Sequence, residues 1–280
     1  MPAQPAKPAK PAKPAKPSRS RTATHPRRRG TNPWVPNQHG AWAMLLLPTL
    51  TGIAAAHTLT TVPIAIAWVI GYFCFFAAGL WLKARNAKRK AEYFRPMAVY
   101  GAIAALAALA AVIMQPTLLW WACAFAPLVM VAVVETWRRR PRSLASGTST
   151  TIASALMFPV MLSTSPGALT PEGWFATAVM AAYFTGTIFY VKTMIREKGN
   201  ATFYRESVGF HALACIVAVA GWLLPVSFAT ATLSALVLSL ALVRAALVPK
   251  HEKTQAWSPK QVGLWELPLC LGVAAVALLA

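Results

Sequence analysis

Aspartate is missing from this chain, and its seven acidic residues are all glutamates. Phosphoryl chemistry on Mg²⁺ depends on clustered carboxylates as hard oxygen ligands, yet Glu92, Glu197, Glu206 and Glu252 are spread over three connecting segments. A dedicated Mg²⁺ cluster is therefore not expected, nor is any other cofactor evident. Zinc-ligand spacing, a phosphate-cradling glycine loop and a G-x-S-x-G elbow are also lacking. The four cysteines, Cys74, Cys123, Cys215 and Cys270, fall in four different apolar runs without paired spacing. They read as small buried apolar residues, not as disulfides or metal ligands. Charged residues make up only 12% of the chain against 57% hydrophobic, too few for the surface of an ordinary soluble domain.

What takes their place is apolar sequence in long blocks. A helix that crosses about 30 Å of hydrocarbon needs about 20 mostly apolar residues. Nine stretches qualify, at 41–57, 62–82, 98–114, 118–136, 148–163, 174–191, 208–224, 226–248 and 262–280. The fifth is short and rich in hydroxyls, which leaves eight spans as the other count, although Ser and Thr can bond their own helix backbone and so enter lipid. The runs have helical span length and no two-residue alternation, so the expected class is all-α, a polytopic transmembrane helical bundle and not a barrel.

The cations are segregated along this pattern. All 27 Lys and Arg fall in 1–36, 83–97, 137–147, 192–207 and 244–260, and the alternate connections at 58–61, 115–117, 163–173 and 225 have none. Basic residues favour the cytoplasmic side. The expected topology is a multi-pass protein of the plasma membrane with the N-terminus cytoplasmic and the C-terminus outside. The net charge of +20 is then a topology signal, and no nucleic-acid partner is expected, because no base-reading or stacking surface accompanies it.

Residues 1–36 form a low-complexity arm in which Pro-Ala-Lys recurs four times. Proline at every third position opposes helix, so the arm is expected to be disordered. Each of its basic residues is worth about 1 kcal/mol near anionic headgroups. It lacks the apolar core of a signal peptide. Residues 37–280 are expected to form one transmembrane domain. Within it, YFCFFAAGLWLK with ARNAKRKAEYFRP and YFTGTIFYVK with TMIREKGNATFYRES read as two versions of one junction, four spans apart. Each has a Lys (83 and 192), a basic loop and an Arg (95 and 205), which suggests two four-helix halves plus a ninth helix.

A few polar residues lie near the expected cytoplasmic boundary: Gln38 and His39 before the first span, Glu135, Lys192, Glu206, His211 and Glu266. They are candidates for one polar mouth. Glu266 stands out, because an ionisable group inside a span faces a cavity or a partner. Its expected partner is Lys192 or Arg244, and structural pairing weighs about as much as function. His211 reads as a helix–helix hydrogen-bonding residue more readily than as a ligand. Trp42, Trp120, Trp121, Trp137, Trp174 and Trp222 fall at span ends as an aromatic belt.

PNQHGAWAMLLLPTLTG, the basic junction ending in Arg95-Pro96, FYVKTMIREKGN and SPKQVGLWELP together resemble the YwiC-like bacterial membrane proteins over about 38–280. This resemblance implies a membrane fold and supplies no mechanism. A more distant likeness is to UbiA-type membrane prenyltransferases, which implies nine helices in two similar halves with diphosphate-binding motifs at the ends of the second and sixth. RNAKRKAEYFRP stands where those enzymes have an aspartate-rich motif; Asn86 matches its asparagine and none of its aspartates is present. An anionic or polyprenyl lipid bound there would have to be neutralised directly by Lys83, Arg95, Lys192 and Arg205, with Asn86 beside them. The leading functional expectation is binding or processing of such a lipid. The alternatives are a small-solute or anion transporter with Glu266 or His211 as a proton-coupled site, and a non-catalytic membrane assembly or scaffold protein. No catalytic residue is designated.

Overall fold

A computed structural model describes residues 32–38, 40–251, 257 and 259–280. The low-complexity arm up to residue 31, His39 and Glu252 lie outside the described residues. Asn32–Ala280 form one compact unit, which begins ahead of the 36/37 boundary expected from composition. Trp34 already packs edge-on against Tyr100, whose hydroxyl donates to the Trp34 carbonyl at 2.8 Å.

The described residues are helical with no strand. The helices are α1 (Ala41–Ala56), α2 (Thr61–Lys83), α3 (Ala87–Met114), α4 (Trp121–Trp137, entered through the 3₁₀ turn Pro116–Trp120), α5 (Leu144–Leu162), α6 (Pro171–Ile195), α7 (Ala201–Ala220), α8 (Phe228–His251), α9 (Pro259–Leu264) and α10 (Leu267–Leu279). Among the described residues eight spans are long and apolar enough to cross a membrane, with α9 and α10 together making the last. The ninth, α1, has 16 residues and so reaches about 24 Å at 1.5 Å per residue.

Three helix starts lie well outside the apolar runs because caps, not hydropathy, decide them. Asn86 accepts from the Lys88 N–H at 2.8 Å, so α3 begins at Ala87, near the start of the basic stretch and well ahead of the apolar run. Asn200 accepts from the Thr202 and Phe203 N–H groups and starts α7 early. Thr170 accepts from Gly173 N–H, ahead of Pro171 at the first helical position of α6.

The hydroxyl-rich fifth run is a central span. On α5, Ser149 and Thr150 return their hydroxyls to the Ser146 carbonyl, and Thr151 meets Thr185 of α6 at 2.9 Å. With their donors satisfied inside protein, α5 and α6 are the most enclosed helices of the bundle. The main apolar core lies between α5, α6, α7, α8 and α10, built on Phe158, Phe184, Met180, Leu238 and Val273. By contrast α3 buries almost nothing beyond its seam with α2 and leaves Ile103, Leu106, Leu109 and Ile113 on the outside, as a lipid-facing helix does.

Helix adjacency repeats with a period of four spans. α1 packs on α2, α2 on α3 and α4, and α4 on α5; likewise α5 packs on α6, α6 on α7 and α8, and α8 on α10. The halves differ in that α7 lies directly on α8, whereas α3 meets the fourth span at the 3₁₀ turn.

α1 approaches α5 closely at Gly52, where an added Cβ would stand 2.6 Å from Met161 Cβ. Gly52→Val should therefore lower the unfolding free energy in detergent by about 1–3 kcal/mol. Gly71→Ala, at a position with nothing within 4 Å, should leave it within about 0.5 kcal/mol.

Candidate functional site

Two polar systems are built into the bundle, and they share out the residues that the sequence grouped as one mouth. The first lies at one end. α2 ends at Lys83, Asn86 caps α3, and Leu80, Lys83, Ala84, Arg85, Asn86, Arg89 and Tyr93 line an open cavity of about 380 Å³. Next to it a cavity of about 540 Å³ is lined by Lys83, Arg139, Arg140, Pro141, Arg142 and Ser143. Lys83 borders both, and no carboxylate lines either.

The α4–α5 connection supplies the second wall. α4 closes with Arg139 in the left-handed conformation (φ 61°) and Arg140 N–H donating to the Glu135 carbonyl at 2.7 Å. Buried Glu135 lies 4.0 Å from Arg138 and 3.8 Å from Arg140, so it serves this loop and not a shared mouth. Beyond α6, burial and the Arg142 guanidinium together hold Arg196 below the ordinary arginine value. Connections 2–3, 4–5 and 6–7 thus crowd their cations at one end. Connections 1–2, 3–4 and 5–6 meet through Thr58 with Thr164 and Gln115 with the Ser163 carbonyl, and have no Lys or Arg.

The second system lies within the spans. Arg244 of α8 donates to Glu266 Oε2 in an ion pair whose side chains are each 9% exposed. Tyr183 donates to the same oxygen from 3.0 Å and also lies 3.3 Å from the Glu266 carbonyl, with Thr187 contributing from 3.3 Å. The Tyr183 hydroxyl is 3.4 Å from Cys270 Sγ. The Arg244 guanidinium stacks 4.2 Å above the Tyr190 ring. His211 of α7 donates from Nδ1 to the Ser207 carbonyl at 2.7 Å, and its Nε2 faces Arg244 Nη2 at 3.5 Å. Since a carbonyl only accepts, Nδ1 carries the proton and Nε2 presents a lone pair to the guanidinium. Gly186 lets the ring in, for a Cβ there would stand 2.9 Å from Nε2. Glu266 itself marks the break between α9 and α10.

Of the grouped residues that are described, then, His211 and Glu266 come together through Arg244, and Arg244, not Lys192, is the partner of Glu266. Gln38 and Glu206 are exposed. Of the paired basic junctions, Lys83 and Asn86 enter the cavity while Arg95 is exposed. Lys192 sits over the Phe203 ring at 5.3 Å, and exposed Arg205 donates back to the Ala201 carbonyl. The sequence reading did not single out Arg85, Arg89, Arg139, Arg142 or Tyr183. The RRRPR run was visible in the sequence; its folding back onto Lys83 was not.

Residues 35–162 match the model of a family described as YwiC-like protein. A relative from Bacillus subtilis, described as uncharacterized protein YwiC, is 30% identical over 196 residues, covering 67% of this chain and 79% of its own. The chain belongs to the YwiC-like family. A second relative, described as an uncharacterized protein of Haemophilus influenzae, is 26% identical over 238 residues, covering 84% of this chain and 93% of its own. No solved structure matches. In this YwiC-like protein the matched segment holds both basic cavities, whereas His211, Arg244 and Glu266 lie C-terminal to it.

Removing one member of a buried ion pair leaves the other uncompensated, at about 3–5 kcal/mol. The two losses should be unequal here, because arginine stays charged while glutamate can take a proton. Unfolding in detergent should show Glu266→Gln as the more destabilised single variant and Arg244→Met as the less. The double variant Arg244→Met/Glu266→Leu should recover most of the loss.

Proposed function

We propose that this multi-pass protein holds a lipid with a phosphate headgroup, such as an isoprenoid phosphate, at the basic end of the bundle, in the plasma membrane with that end cytoplasmic. The observation that carries the reading is a pair of adjoining cavities lined by Lys83, Arg85, Arg89, Arg139, Arg140 and Arg142 without a carboxylate. Cations crowded in this way repel one another, and an anion relieves them. Guanidinium groups bind phosphate bidentately, and each charge-assisted bond is worth about 1.5–3 kcal/mol.

The surroundings fit an amphiphile. The cavities open at helix ends beside the lipid-facing α3, and Lys90 lies over the Trp81 ring at 5.2 Å. The headgroup would sit in the basic cavity and the chain in the hydrocarbon along α2 and α3. The guanidinium and ammonium groups would take the neutralising role that Mg²⁺ ions held by carboxylates have in metal-dependent phosphoryl sites, so the reading is binding, not ionisation of a diphosphate. The side of the membrane follows from the charge bias, and the basic arm adds contacts to the same anionic leaflet.

Native mass spectrometry of the full chain in mild detergent tests this. Wild type should retain a phosphorylated lipid above the level of bulk phospholipid. The triple variant Lys83→Ala/Arg89→Ala/Arg142→Ala should lose it by about tenfold or more, while Arg95→Ala/Arg205→Ala should keep it. Equal retention in all three would sink the reading. Orientation is tested apart from binding: impermeant maleimide should label a single cysteine replacing Gly167 in intact cells, and one replacing Arg139 only after the cells are opened.

A further inference from the structure

The two basic cavities adjoin without merging. The first belongs to the α2–α3 turn and takes its charge from Arg85 and Arg89; the second belongs to the α4–α5 loop and takes its charge from Arg139, Arg140 and Arg142. Lys83 is the lining residue that they share. Each cavity also borders the start of a helix. Asn86 caps α3, and Ser143 caps α5 by accepting from the Ser146 N–H at 3.1 Å, so the positive end of a helix dipole adds to the cations on each side. One phosphate in either cavity would meet the cations of that side and leave those of the other facing one another.

The apolar surroundings are doubled in the same way. From the first cavity runs α3, the least enclosed of the long spans, with Val99, Ile103 and Leu106 exposed. From the second runs α4, the next least enclosed, with Val129, Met130 and Val133 exposed. α2 stands between these two helices and packs on both. A tryptophan marks the headgroup level on each flank, Trp81 under Lys90 and the exposed Trp137 at the end of α4. A lipid with a single phosphate and one tail would cover one flank and leave the other as it is.

We propose that the basic end holds a lipid with two phosphodiesters joined through a glycerol, one phosphate in each cavity with Lys83 between them, and one pair of acyl chains along α3 and the other along α4. The inference rests on the lipid reading above and narrows it to a headgroup with two separated phosphates. A diphosphate fits the arrangement less well, because its two phosphorus atoms share one oxygen and would crowd a single cavity. Basic pockets between transmembrane helices on the cytoplasmic side suit such a bridged headgroup. The gain comes from linkage: a ligand that spans two weak sites makes its second contact within the complex, and so binds far more tightly than a ligand that fills one.

Native mass spectrometry of the full chain in mild detergent, with defined lipids added, tests it. The probes are tetraoleoyl cardiolipin, dioleoyl phosphatidylglycerol, an isoprenoid monophosphate and an isoprenoid diphosphate. Wild type should take one cardiolipin, about tenfold or more tighter than any of the others, and up to two phosphatidylglycerols, which bound cardiolipin displaces. Arg85→Ala/Arg89→Ala and Arg139→Ala/Arg142→Ala each strip one cavity, and all four residues are exposed, so both variants should fold. Each should bind cardiolipin no better than phosphatidylglycerol, and should take one phosphatidylglycerol where wild type takes two. Equal affinity of wild type for cardiolipin and phosphatidylglycerol, preference for either isoprenoid lipid, or a cardiolipin preference that survives in either paired variant would each overturn the proposal and leave the lipid reading in place. Retention of no phosphorylated lipid at all would overturn both.

Discussion

Hydrocarbon offers no hydrogen-bond partner, and the rest of this structure follows from that. Each polar group carried into the spans must find its partner within the protein, and the bundle is arranged around those that do. On α5, Ser149, Thr150 and Thr151 satisfy themselves on their own helix or against α6, which lets a hydroxyl-rich helix become the centre of the molecule. The same rule sends the residues without polar needs outward, so α3 presents leucine, isoleucine and alanine to lipid on most of its surface. Enclosure in this protein therefore tracks polarity more closely than hydropathy. The most apolar span, α3, is the least enclosed, and the two least apolar, α5 and α6, are the most enclosed.

That inversion accounts for how much the sequence revealed. Span number, helical class and the clustering of cations on alternate connections follow from length and charge counting, which lipid enforces strictly. Three-dimensional neighbours do not follow, because lipid does not say which polar residues meet. Glu266 was visible as a costly residue, yet nothing in its local sequence separates Arg244 from Lys192 as its partner. The choice is made by α8 packing on α10 while Lys192 turns onto Phe203. Tyr183 carries no sign of a role in the YFTGTIFYVK segment, and only the break after Leu264 brings the Glu266 carbonyl within its reach. The junctions at Lys83 and Lys192 look alike in sequence and differ in space, because one faces the α4–α5 loop and the other an aromatic ring.

The two polar systems handle charge in opposite ways. At the end of the bundle, solvent and headgroups screen the cations, so six of them can line two adjoining cavities with no acid among them. Inside, where screening is weak, one cation demands one anion, and Arg244 and Glu266 meet this with tyrosine and threonine hydroxyls in support. Exchanging the arrangements would fail on both sides. A second arginine at the depth of Arg244 would stand uncompensated, and a carboxylate lining the Lys83 cavities would cancel the attraction that draws an anion there.

The choice of partners within the pair is itself informative. An arginine in lipid cannot discard its charge, so Arg244 fixes a permanent positive centre at the heart of α6, α7, α8 and α10. A glutamate can discard its charge, and it stands at the point where the ninth span is already broken. His211, the other ionisable neighbour, holds the Ser207 carbonyl through Nδ1 and turns Nε2 toward Arg244. The cluster thus places a permanent cation and its counter-ion at the interruption of the last span. A pair that served packing alone would be served as well by two apolar side chains of similar volume, without the hydroxyls, the stacked ring and the glycine gap that these two charges require.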